Sequence, residues 1–415
     1  MSNSREMLTI GNQVPRGFVY KIASRCNIAC SYCYMYFRGD NKALDEDKTV
    51  SVPTHSLFLK RLKSHILANS LDSFTISLHG GEPLLVGKRK FKSIVQDFVN
   101  LGKELNVSVN LKLQTNGLLI DEEWLDILYQ YDIHFGISVD GDKETNDKYR
   151  KDFSGKGTFD RIMKAFEIVR SYLTLKPDLP FVGAILVINP KVEPTHLFKF
   201  LKDELKLTTF NILLPDCDHD TFEKFNDFTI EDVERFLIKF FDCWYPYRNE
   251  ITVSYFNDTI KSIFGLRVST EGIGMTPSNT VVISTNGNIE SHDVLRINNS
   301  KKESQTLDLF NNEIIEIQDD KFFKLSTDLS HLTKKEVKCS TCPIKYICGG
   351  GFIAHRHSSS NGYLNHSVYC DALFGFINHV YFKLATDLLT NNSLQFKEKN
   401  YAQQQLQEIG GSVVN

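Results

Sequence analysis

The chain has 415 residues, which is more than one compact core usually holds. Hydrophobic residues make up 41% and charged residues 24%, as is ordinary for a globular protein. The net charge of -3 provides no basic excess for binding nucleic acid, and apolar runs such as Phe181 to Ile188 are too short to cross a bilayer. The first residues form no apolar signal region, so we expect a cytoplasmic protein that binds neither nucleic acid nor membrane.

In the first half of the chain, short runs of β-branched and aromatic residues alternate with helical patterns. The predicted strands are 18–23, 74–78, 107–114, 133–139, 181–188 and 209–214. The predicted helices between them are 55–68, 91–105, 122–131, 159–173 and 195–205. Because each crossover helix returns the chain to the same edge, six such units predict a parallel sheet. We therefore expect an α/β domain, a partial (β/α)6 TIM-like barrel, over residues 15–228.

The pattern changes after the sixth strand. A helix over 230–244 is predicted within a segment of linker helices, 229–270. A cysteine-rich domain is expected over 271–392, with a strand and turn near 280–288 and a closing helix over 371–389. The tail, 393–415, is rich in Gln, Asn and Gly, and we expect it to be mobile.

The cysteines are clustered, which indicates metal binding. Their number, nine, is odd, and a reducing cytoplasm disfavours structural disulfides. Two are isolated, Cys217 and Cys243, and we expect both to be small core residues. The others form two sets, which are Cys26, Cys30 and Cys33, and Cys339, Cys342, Cys348 and Cys370.

The first set, Cys26-x3-Cys30-x2-Cys33, follows the first predicted strand. Three thiolates on one short loop can ligate three irons of a [4Fe-4S] cluster and leave the fourth iron without a protein ligand. A small chelating molecule could bind that iron and receive an electron. A structural zinc site is the alternative, but zinc sites usually close their shell with four ligands.

A second motif, Gly80-Gly81-Glu82-Pro83, follows the second predicted strand. Glycines permit close backbone approach, and a carboxylate suits an ammonium group, although a simple turn would also explain the motif. With the cysteine triplet, it makes about the first 225 residues resemble the radical S-adenosylmethionine (SAM) superfamily. The resemblance implies that this loop holds the amino group of SAM.

The same resemblance assigns two further contacts. It implies that Ser138 contacts the ribose of SAM and that Arg150 pairs with its carboxylate, for which a guanidinium fork is suited. For Arg150, a solvated charge at a helix end is the alternative. Asn116, within Thr115-Asn116-Gly117, is interpreted as a turn residue and is not included in the site.

The spacing of the second cysteine set leaves an iron–sulfur cluster and a zinc site equally open. The region resembles a reduced SPASM domain of peptide-modifying radical SAM enzymes. The full SPASM pattern has seven cysteines for two auxiliary clusters, but here Phe352 replaces one, and Ser291 and His292 stand where another would fall. The resemblance therefore implies one auxiliary cluster on Cys339, Cys342, Cys348 and Cys370, and two [4Fe-4S] clusters in total.

Several stretches resemble the maturases that form three-residue cyclophanes in ribosomal peptides. They include Leu213-Leu214-Pro215-Asp216, the segment from Asn286 to Leu295, and Ser367-Val368-Tyr369-Cys370. The resemblance implies that a 5′-deoxyadenosyl radical takes a hydrogen from a β-carbon, which then bonds to an aromatic ring of a precursor peptide. Asp216 is a candidate base for the proton released, although a simple loop carboxylate is the alternative.

Two other readings remain open. Formylglycine- or thioether-forming maturation would use the same superfamily chemistry, whereas an iron–sulfur or zinc sensor would leave the Gly-Gly-Glu-Pro loop without a purpose. The enzyme reading also implies an electron donor such as flavodoxin or ferredoxin.

Overall fold

A computed structural model describes residues 13–38, 41–298, 307–327, 332 and 334–390, and the predicted mobile tail lies outside these residues. The described residues divide into two compact units. The first takes its residues from Met1–Asn189, Phe200–Asp216 and Pro277–Asp328, and the second from Pro190–Lys199, Cys217–Thr276 and Leu329–Asn415.

The strands follow one another along the chain with helices between many of them. They are β1 (Gly17–Ala23), β2 (Ala29–Cys30), β3 (Ser73–Gly80), β4 (Ser108–Thr115), β5 (His134–Ser138), β6 (Arg150–Lys151), β7 (Phe181–Val187), β8 (Thr209–Leu213), β9 (Thr252–Val253), β10 (Thr280–Ile283), β11 (Asn288–Glu290) and β12 (Leu307–Asp308).

The helices include each one predicted from the sequence. They are α1 (Val52–Ala68), α2 (Lys88–Leu105), α3 (Glu122–Gln130), α4 (Lys143–Tyr149), α5 (Phe159–Leu175), α6 (Pro194–Lys199), α7 (Phe222–Phe225), α8 (Ile230–Trp244), α9 (Ser254–Ile263), α10 (Lys321–Thr327), α11 (Lys345–Cys348) and α12 (Cys370–Thr390). The predicted helix 195–205 is divided, because α6 is followed by a π-helical turn, Phe200–Glu204.

The first unit is built on one sheet, in which the strands run in the order β12-β11-β10-β1-β3-β4-β5-β7-β8. The six strands predicted from the sequence, β1, β3, β4, β5, β7 and β8, are neighbours in chain order and are all parallel. The predicted partial barrel of parallel strands is therefore confirmed. Its carboxyl ends meet at one edge, where α/β folds carry their chemistry.

The sheet extends beyond those six strands. Strand β10 pairs parallel with β1, and β11 and β12 continue the sheet as antiparallel strands. The sequence analysis placed this segment in the cysteine-rich domain, 271–392, whereas the compact unit that contains the barrel also takes Pro277–Asp328. A four-residue strand with three apolar residues carries no local signal for its pairing partner, so the sequence could not place it.

The two faces of the barrel sheet differ in polarity. In β3, Phe74, Ile76 and Leu78 are buried, whereas Thr75, Ser77 and His79 alternate with them and are partly exposed. The buried face packs on helices; the ring of Tyr20 in β1, for example, lies 4.8 Å from that of Phe58 in α1. The face on which Thr75, Ser77 and His79 lie is polar in β3, and it is called the inner face below.

The second unit has an aromatic core between helices. The ring of Phe256 in α9 lies 5.3 Å from that of Trp244 in α8 and 5.6 Å from that of Phe376 in α12. The segment 229–270, predicted as linker helices, thus supplies core residues to a compact unit, because its apolar positions recur on one helix face. None of the helices in the described part of the chain has the length and apolar character that a membrane span requires.

Candidate active site

Four polar residues form a row across the inner face, near the carboxyl ends of neighbouring strands. Lys21 of β1 is the register partner of His79 in β3, and the pairing of β3 with β4 places Gln114 next to His79. The side-chain Nε2 of Gln114 donates a hydrogen bond to Ser138 Oγ over 2.9 Å. The row therefore brings the predicted ribose contact, Ser138, to the same edge as Lys21 and His79.

The first cysteine set lies on the loop that follows β1. Cys30 belongs to β2, which pairs with Arg150 in β6. Burial raises the pKa of the Cys26 thiol to about 12 and that of Cys33 to about 11, and the charges of the neighbouring thiols add to both shifts. The three thiols are thus close together and poorly solvated. A positively charged iron centre would compensate the thiolates, so this donor set fits a cluster.

Two glycines allow the Gly-Gly-Glu-Pro loop to contact the backbone before the cysteines. Gly80 has φ +139°, and a Cβ there would lie 1.9 Å from the carbonyl oxygen of Ala23. A Cβ on Gly81 would lie 2.5 Å from the carbonyl oxygen of Arg25. The next amide, that of Glu82, donates to this oxygen over 2.9 Å, and Pro83 begins a 3-10 turn. The glycines therefore fix the distance between the two loops.

The carboxylate of Glu82 is fully buried and joins its loop to the end of β4. It accepts hydrogen bonds from Leu84 N, Thr115 Oγ1 and Asn116 N over 3.1, 2.7 and 2.8 Å. Burial raises the pKa of Glu82, while these donors oppose the rise. Since a carboxylate has about four acceptor positions, most of its capacity has a structural use. The predicted contact with the SAM amino group stays a prediction for Glu82.

Asn116 lies beside the cluster loop, although the sequence analysis treated it as a turn residue. Its Nδ2 donates to Asn27 Oδ1 over 2.7 Å and lies 3.8 Å from Cys26 Sγ. The signal that could have identified it is its position directly after a strand, at the same sheet edge as the other motifs.

Arg150 occupies a buried polar network next to the cysteine loop. Its Nη1 donates to the hydroxyl of Tyr32 over 3.0 Å, and this hydroxyl donates to Asp140 Oδ2 over 2.6 Å. Burial raises the pKa of Asp140, and Arg150 opposes that rise. The Nε of Arg150 is buried and has no hydrogen-bond partner among the described residues. An unused donor of this kind suits the carboxylate that the sequence analysis assigned to Arg150.

A second buried group, which the sequence analysis did not predict, surrounds Asp293. The Nζ of Lys21, a fully buried residue, lies 3.2 Å from Asp293 Oδ2, and the Tyr34 hydroxyl donates to the same oxygen over 2.7 Å. Burial alone would raise the pKa of Asp293, but Lys21, His79 and Tyr34 together hold it well below its usual range. Asp293 is therefore an ionised carboxylate within this group.

Asp216, the candidate base, lies near the same group. Burial raises the pKa of Tyr34, and the charges of Asp293 and Asp216 raise it further. The backbone carbonyl of Asp216 accepts a hydrogen bond from Arg38 Nη1 over 3.4 Å. Asp216 therefore acts electrostatically on a residue of the cluster loop, and its role as the base stays a prediction.

The second cysteine set lies within the second unit. Cys339 belongs to a 3-10 turn, Cys348 ends α11, and Cys370 begins α12. Burial raises the pKa of Cys348 to about 12, and the charges of Cys370, Cys339 and Cys342 contribute to that rise. The four predicted ligands are therefore brought together, whereas Cys217 and Cys243 lie apart, next to Tyr369 and Thr195.

The spacing of the thiols bears on the choice between zinc and a cluster. Tetrahedral zinc with Zn–S bonds of about 2.3 Å holds its sulfur atoms roughly 3.8 Å apart. Within the described residues, the group of three potential ligand atoms that all lie within 4.8 Å of one another is Asp218, Asp220 and His357. Neither cysteine set is that compact, which agrees better with a larger iron–sulfur cluster.

Hydrogen bonds within the second unit account for the compact group. His357 Nδ1 lies 2.9 Å from Asp218 Oδ2, and Asp220 Oδ2 accepts a hydrogen bond from Ser359 N over 2.7 Å. These contacts join the turn at 218–221 to the turn at 355–359. The group therefore has a structural explanation without an ion.

Known proteins resemble this chain over most of its length. The chain is 25% identical over 362 residues to the cysteine-type anaerobic sulfatase-maturating enzyme of Clostridium novyi, an alignment that covers 85% of this chain and 92% of the relative. The solved structure of native anSMEcpe with bound AdoMet and Cp18Cys peptide superimposes with a TM-score of 0.75 and 21% identity, over 89% of this chain and 98% of that one.

A more distant structure shares the fold. Streptococcus suis SuiB bound to the precursor peptide SuiA superimposes with a TM-score of 0.55 and 16% identity, over 86% of this chain and 76% of that one. Residues 20–187 match the family model described as the Radical SAM superfamily. The superfamily prediction from the sequence is thereby confirmed. The chain therefore contains a radical SAM domain at residues 20–187.

Proposed function

We propose that this radical SAM enzyme is a peptide maturase that forms a carbon–carbon crosslink, a cyclophane, between an aromatic ring and a β-carbon of a ribosomal precursor peptide. The similarity to a sulfatase-maturating enzyme, and to structures that contain the Cp18Cys peptide and the precursor peptide SuiA, supports a peptide substrate. The crosslink rests on further observations.

The cysteine inventory is the observation that carries the crosslink. Four thiols in the second unit interact with one another, and the other two cysteines outside the radical SAM domain are separately placed. The four interacting thiols would supply the ligands of one auxiliary cluster, as in a reduced SPASM-type domain. At one position where the full pattern has cysteine, the ring of Phe352 lies 5.3 Å from that of His355. The stretches that resemble cyclophane-forming maturases accompany this reduced pattern.

We assign the cofactors to the predicted residues. Cys26, Cys30 and Cys33 would hold the first cluster, and the Gly-Gly-Glu-Pro loop, Ser138 and Arg150 would hold SAM. Cys339, Cys342, Cys348 and Cys370 would hold the second. When bound, the first cluster and SAM supply the radical that removes a hydrogen atom from the peptide, and the second cluster supplies an electron acceptor.

The residues of the chain then have three tasks. The unused Nε of Arg150 orients an anionic group beside the cluster loop. The polar inner face would receive the peptide, with Lys21 and Asp293 as a buried ion pair at its edge. A general base receives the proton that the peptide loses, and the carboxylate of Asp216 is the candidate from the sequence. We propose flavodoxin or ferredoxin as the electron donor.

Formylglycine formation is the second candidate. It is favoured by the alignment with the cysteine-type sulfatase-maturating enzyme, which extends over 85% of this chain. Both reactions remove hydrogen from a peptide β-carbon, so the product decides between them.

The proposed function is tested with the anaerobically reconstituted enzyme, SAM, dithionite and a candidate precursor peptide that has an aromatic residue near its C-terminus. We expect 5′-deoxyadenosine and a peptide that has lost two hydrogens. Because a ring joins the residues, tandem mass spectrometry should show no backbone fragments across a three-residue segment. The control is the triple variant Cys26→Ala, Cys30→Ala and Cys33→Ala, which should form neither product.

A product that reacts with a hydrazine probe and fragments at every peptide bond would be an aldehyde, and the enzyme would then be a formylglycine-type maturase. Zinc bound by the first cysteine set, with SAM intact under dithionite, would contradict both candidates.

A further inference from the structure

We propose that Tyr32 is a positioning residue for SAM, because its hydroxyl holds the guanidinium of Arg150 in place for the cofactor's carboxylate and keeps it out of a direct ion pair with Asp140. Tyr32 lies on the cluster loop, between Cys30 and Cys33. The inference rests on one part of the proposed function, the assignment of the SAM carboxylate to Arg150. It does not depend on which peptide product the enzyme forms.

The guanidinium of Arg150 has few partners for a buried cation. Within the described part of the chain, its one hydrogen bond runs from Nη1 to the Tyr32 hydroxyl over 3.0 Å, and it forms no ion pair with a carboxylate. A guanidinium carries five N–H donors, and a buried arginine usually has an anionic partner. Arg150 is 5% exposed, so a small part of it can still be contacted from outside the protein. A carboxylate with two acceptor oxygens suits the donors that remain.

The Tyr32 hydroxyl connects Arg150 to a buried carboxylate, that of Asp140. It accepts a hydrogen bond from Arg150 Nη1 and donates one to Asp140 Oδ2 over 2.6 Å. Because a guanidinium can only donate, the hydroxyl must offer its lone pair to Arg150 and direct its proton to Asp140. The cation and the anion therefore interact through a neutral group that stands between them.

Both ends of this connection are anchored in the fold. The second carboxylate oxygen of Asp140, Oδ1, accepts a hydrogen bond from the backbone amide of Val187 in β7 over 3.2 Å. At the other end, the backbone carbonyl of Arg150 accepts one from Thr158 Oγ1 over 2.8 Å, and β6 pairs Arg150 with Cys30 of β2. The hydroxyl therefore joins two groups whose own positions are fixed.

The arrangement favours binding of an external carboxylate. A direct pair between Arg150 and Asp140 would use the guanidinium donors and neutralise the charge, so a ligand would have to compete with it. With the hydroxyl between them, Arg150 is oriented but keeps its charge and most of its donors. Tyr32 also belongs to the cluster loop, so the group that would bind one end of SAM is tied to the loop that would hold the iron. Such preorganisation lowers the ordering cost of binding.

The test measures binding of two ligands that differ in the carboxylate. Equilibrium dialysis without reductant gives the affinities of the reconstituted holoenzyme for SAM and for decarboxylated SAM. For Tyr32→Phe we expect the affinity for SAM to decrease roughly tenfold or more, as for loss of a hydrogen bond to a charged group. The affinity for decarboxylated SAM should change little, so the preference for SAM should decrease. Iron content and circular dichroism report whether the variant is folded and loaded.

Tyr149→Phe is the matched control, because it also removes one phenolic hydroxyl. The ring of Tyr149 lies 6.2 Å from that of Tyr32, and its hydroxyl forms no hydrogen bond within the described residues. This variant should bind both ligands as the wild type does. A second comparison adds Tyr32→Phe to Arg150→Gln. Because the hydroxyl acts through Arg150, it should cause no further loss of SAM affinity in that background.

A second variant covers the case in which Tyr32→Phe does not load its iron. Asp140→Asn replaces the carboxylate by an amide, which is a weaker acceptor for the hydroxyl proton. The hydroxyl, and with it Arg150, should be held less firmly. We therefore expect the preference for SAM over decarboxylated SAM to decrease in this variant as well.

Two results would overturn the positioning role. Equal losses for both ligands in Tyr32→Phe would show that the hydroxyl only stabilises the loop, and an unchanged affinity for SAM would show that it has no part in binding. The Arg150→Gln variant separates this failure from that of the proposed function. If it keeps the wild-type preference for SAM, the assignment of the carboxylate to Arg150 is wrong. If it loses the preference while Tyr32→Phe keeps it, the role of Tyr32 alone is wrong.

Discussion

At the residue scale, the site depends on how closely two loops approach each other. The backbone of Gly80 lies where a Cβ would be 1.9 Å from the carbonyl oxygen of Ala23. The Gly-Gly-Glu-Pro motif was assigned from the sequence to a ligand contact, and the structure adds a cause for its glycines that precedes any ligand. They allow the loop to pack directly against the strand that leads to the cysteines.

This contact predicts the effect of adding one methyl group. Gly80→Ala combines an unfavourable φ of +139° with a backbone clash, so the loop must shift. We expect SAM cleavage to decrease roughly tenfold or more, which corresponds to about 1.4 kcal/mol or more. The measurement is 5′-deoxyadenosine formation under dithionite.

Gly155→Ala is the control for the Gly80 variant. Gly155 also has positive φ, +82°, but a Cβ there meets no atom within 4 Å. It should cleave SAM at the wild-type rate. Equal losses in the two variants would show that backbone strain, and not the loop contact, causes the effect.

The same scale separates what the sequence could and could not reveal about the site. The cysteines and the Gly-Gly-Glu-Pro loop form contiguous motifs, so their chemistry could be predicted. Lys21, His79 and Asp293 have no local signal, because strand register and a segment from the far half of the chain bring them together. Asn116 looked like a turn residue, and only its contact with Asn27 places it beside the cluster loop.

At the element scale, helix α8 begins at a capping box. Thr229 Oγ1 accepts a hydrogen bond from Asp232 N over 3.2 Å, and Asp232 Oδ2 accepts one from Thr229 N over 3.0 Å. This helix supplies Phe241 and Trp244 to the core of the second unit. The cap thus fixes where a core helix starts.

Removing the cap should destabilise the second unit. Thr229→Ala loses the acceptor for the Asp232 amide, and we expect a loss of about 1 kcal/mol of unfolding free energy. Thr229→Ser keeps the hydroxyl and should retain most of the stability. Thermal unfolding followed by circular dichroism compares the two, and an alanine variant as stable as the serine variant would refute the role of the cap.

Elements were easier to predict than their arrangement. The strands and helices of the first half follow periodic patterns of apolar residues, and the structure has them within a few residues. The pairing of β10 with β1 was not predictable, because a four-residue strand with three apolar residues fits many sheets equally well. The packing of α8 and α9, predicted as linker helices, could not be predicted for a similar reason, since an amphipathic pattern does not specify the partner of its apolar face.

At the scale of the whole molecule, a buried ion pair joins distant segments of the first unit. The side chain of Arg296 is 1% exposed and lies 3.0 Å from Glu46 and 3.3 Å from Glu290. Glu46 precedes α1, Glu290 belongs to β11 and Arg296 lies in the turn after β11. The guanidinium therefore holds together parts of the chain that are far apart in sequence.

Replacing this guanidinium should be costly. Arg296→Met leaves the buried carboxylate of Glu46 without its cation, and we expect a loss of about 3–5 kcal/mol of unfolding free energy in urea. The control is Lys143→Met, which removes an ion pair with Asp160 whose side chains are 60% and 72% exposed. That variant should lose less than about 1 kcal/mol. Similar losses in both would show that burial of the Arg296 pair is unimportant.

The position of β1 has a consequence for how the protein is made. This strand carries the chain into the cluster loop, yet it is bordered by β3 on one side and by β10 on the other. During synthesis, one of its edges remains unpaired until the ribosome has added residues 280–283. An exposed edge of this kind invites pairing with other chains. The sheet of the barrel is therefore completed late in translation. A fragment that stops before β10 would leave one edge of β1 unpaired beside the cluster loop, where it could pair with another chain.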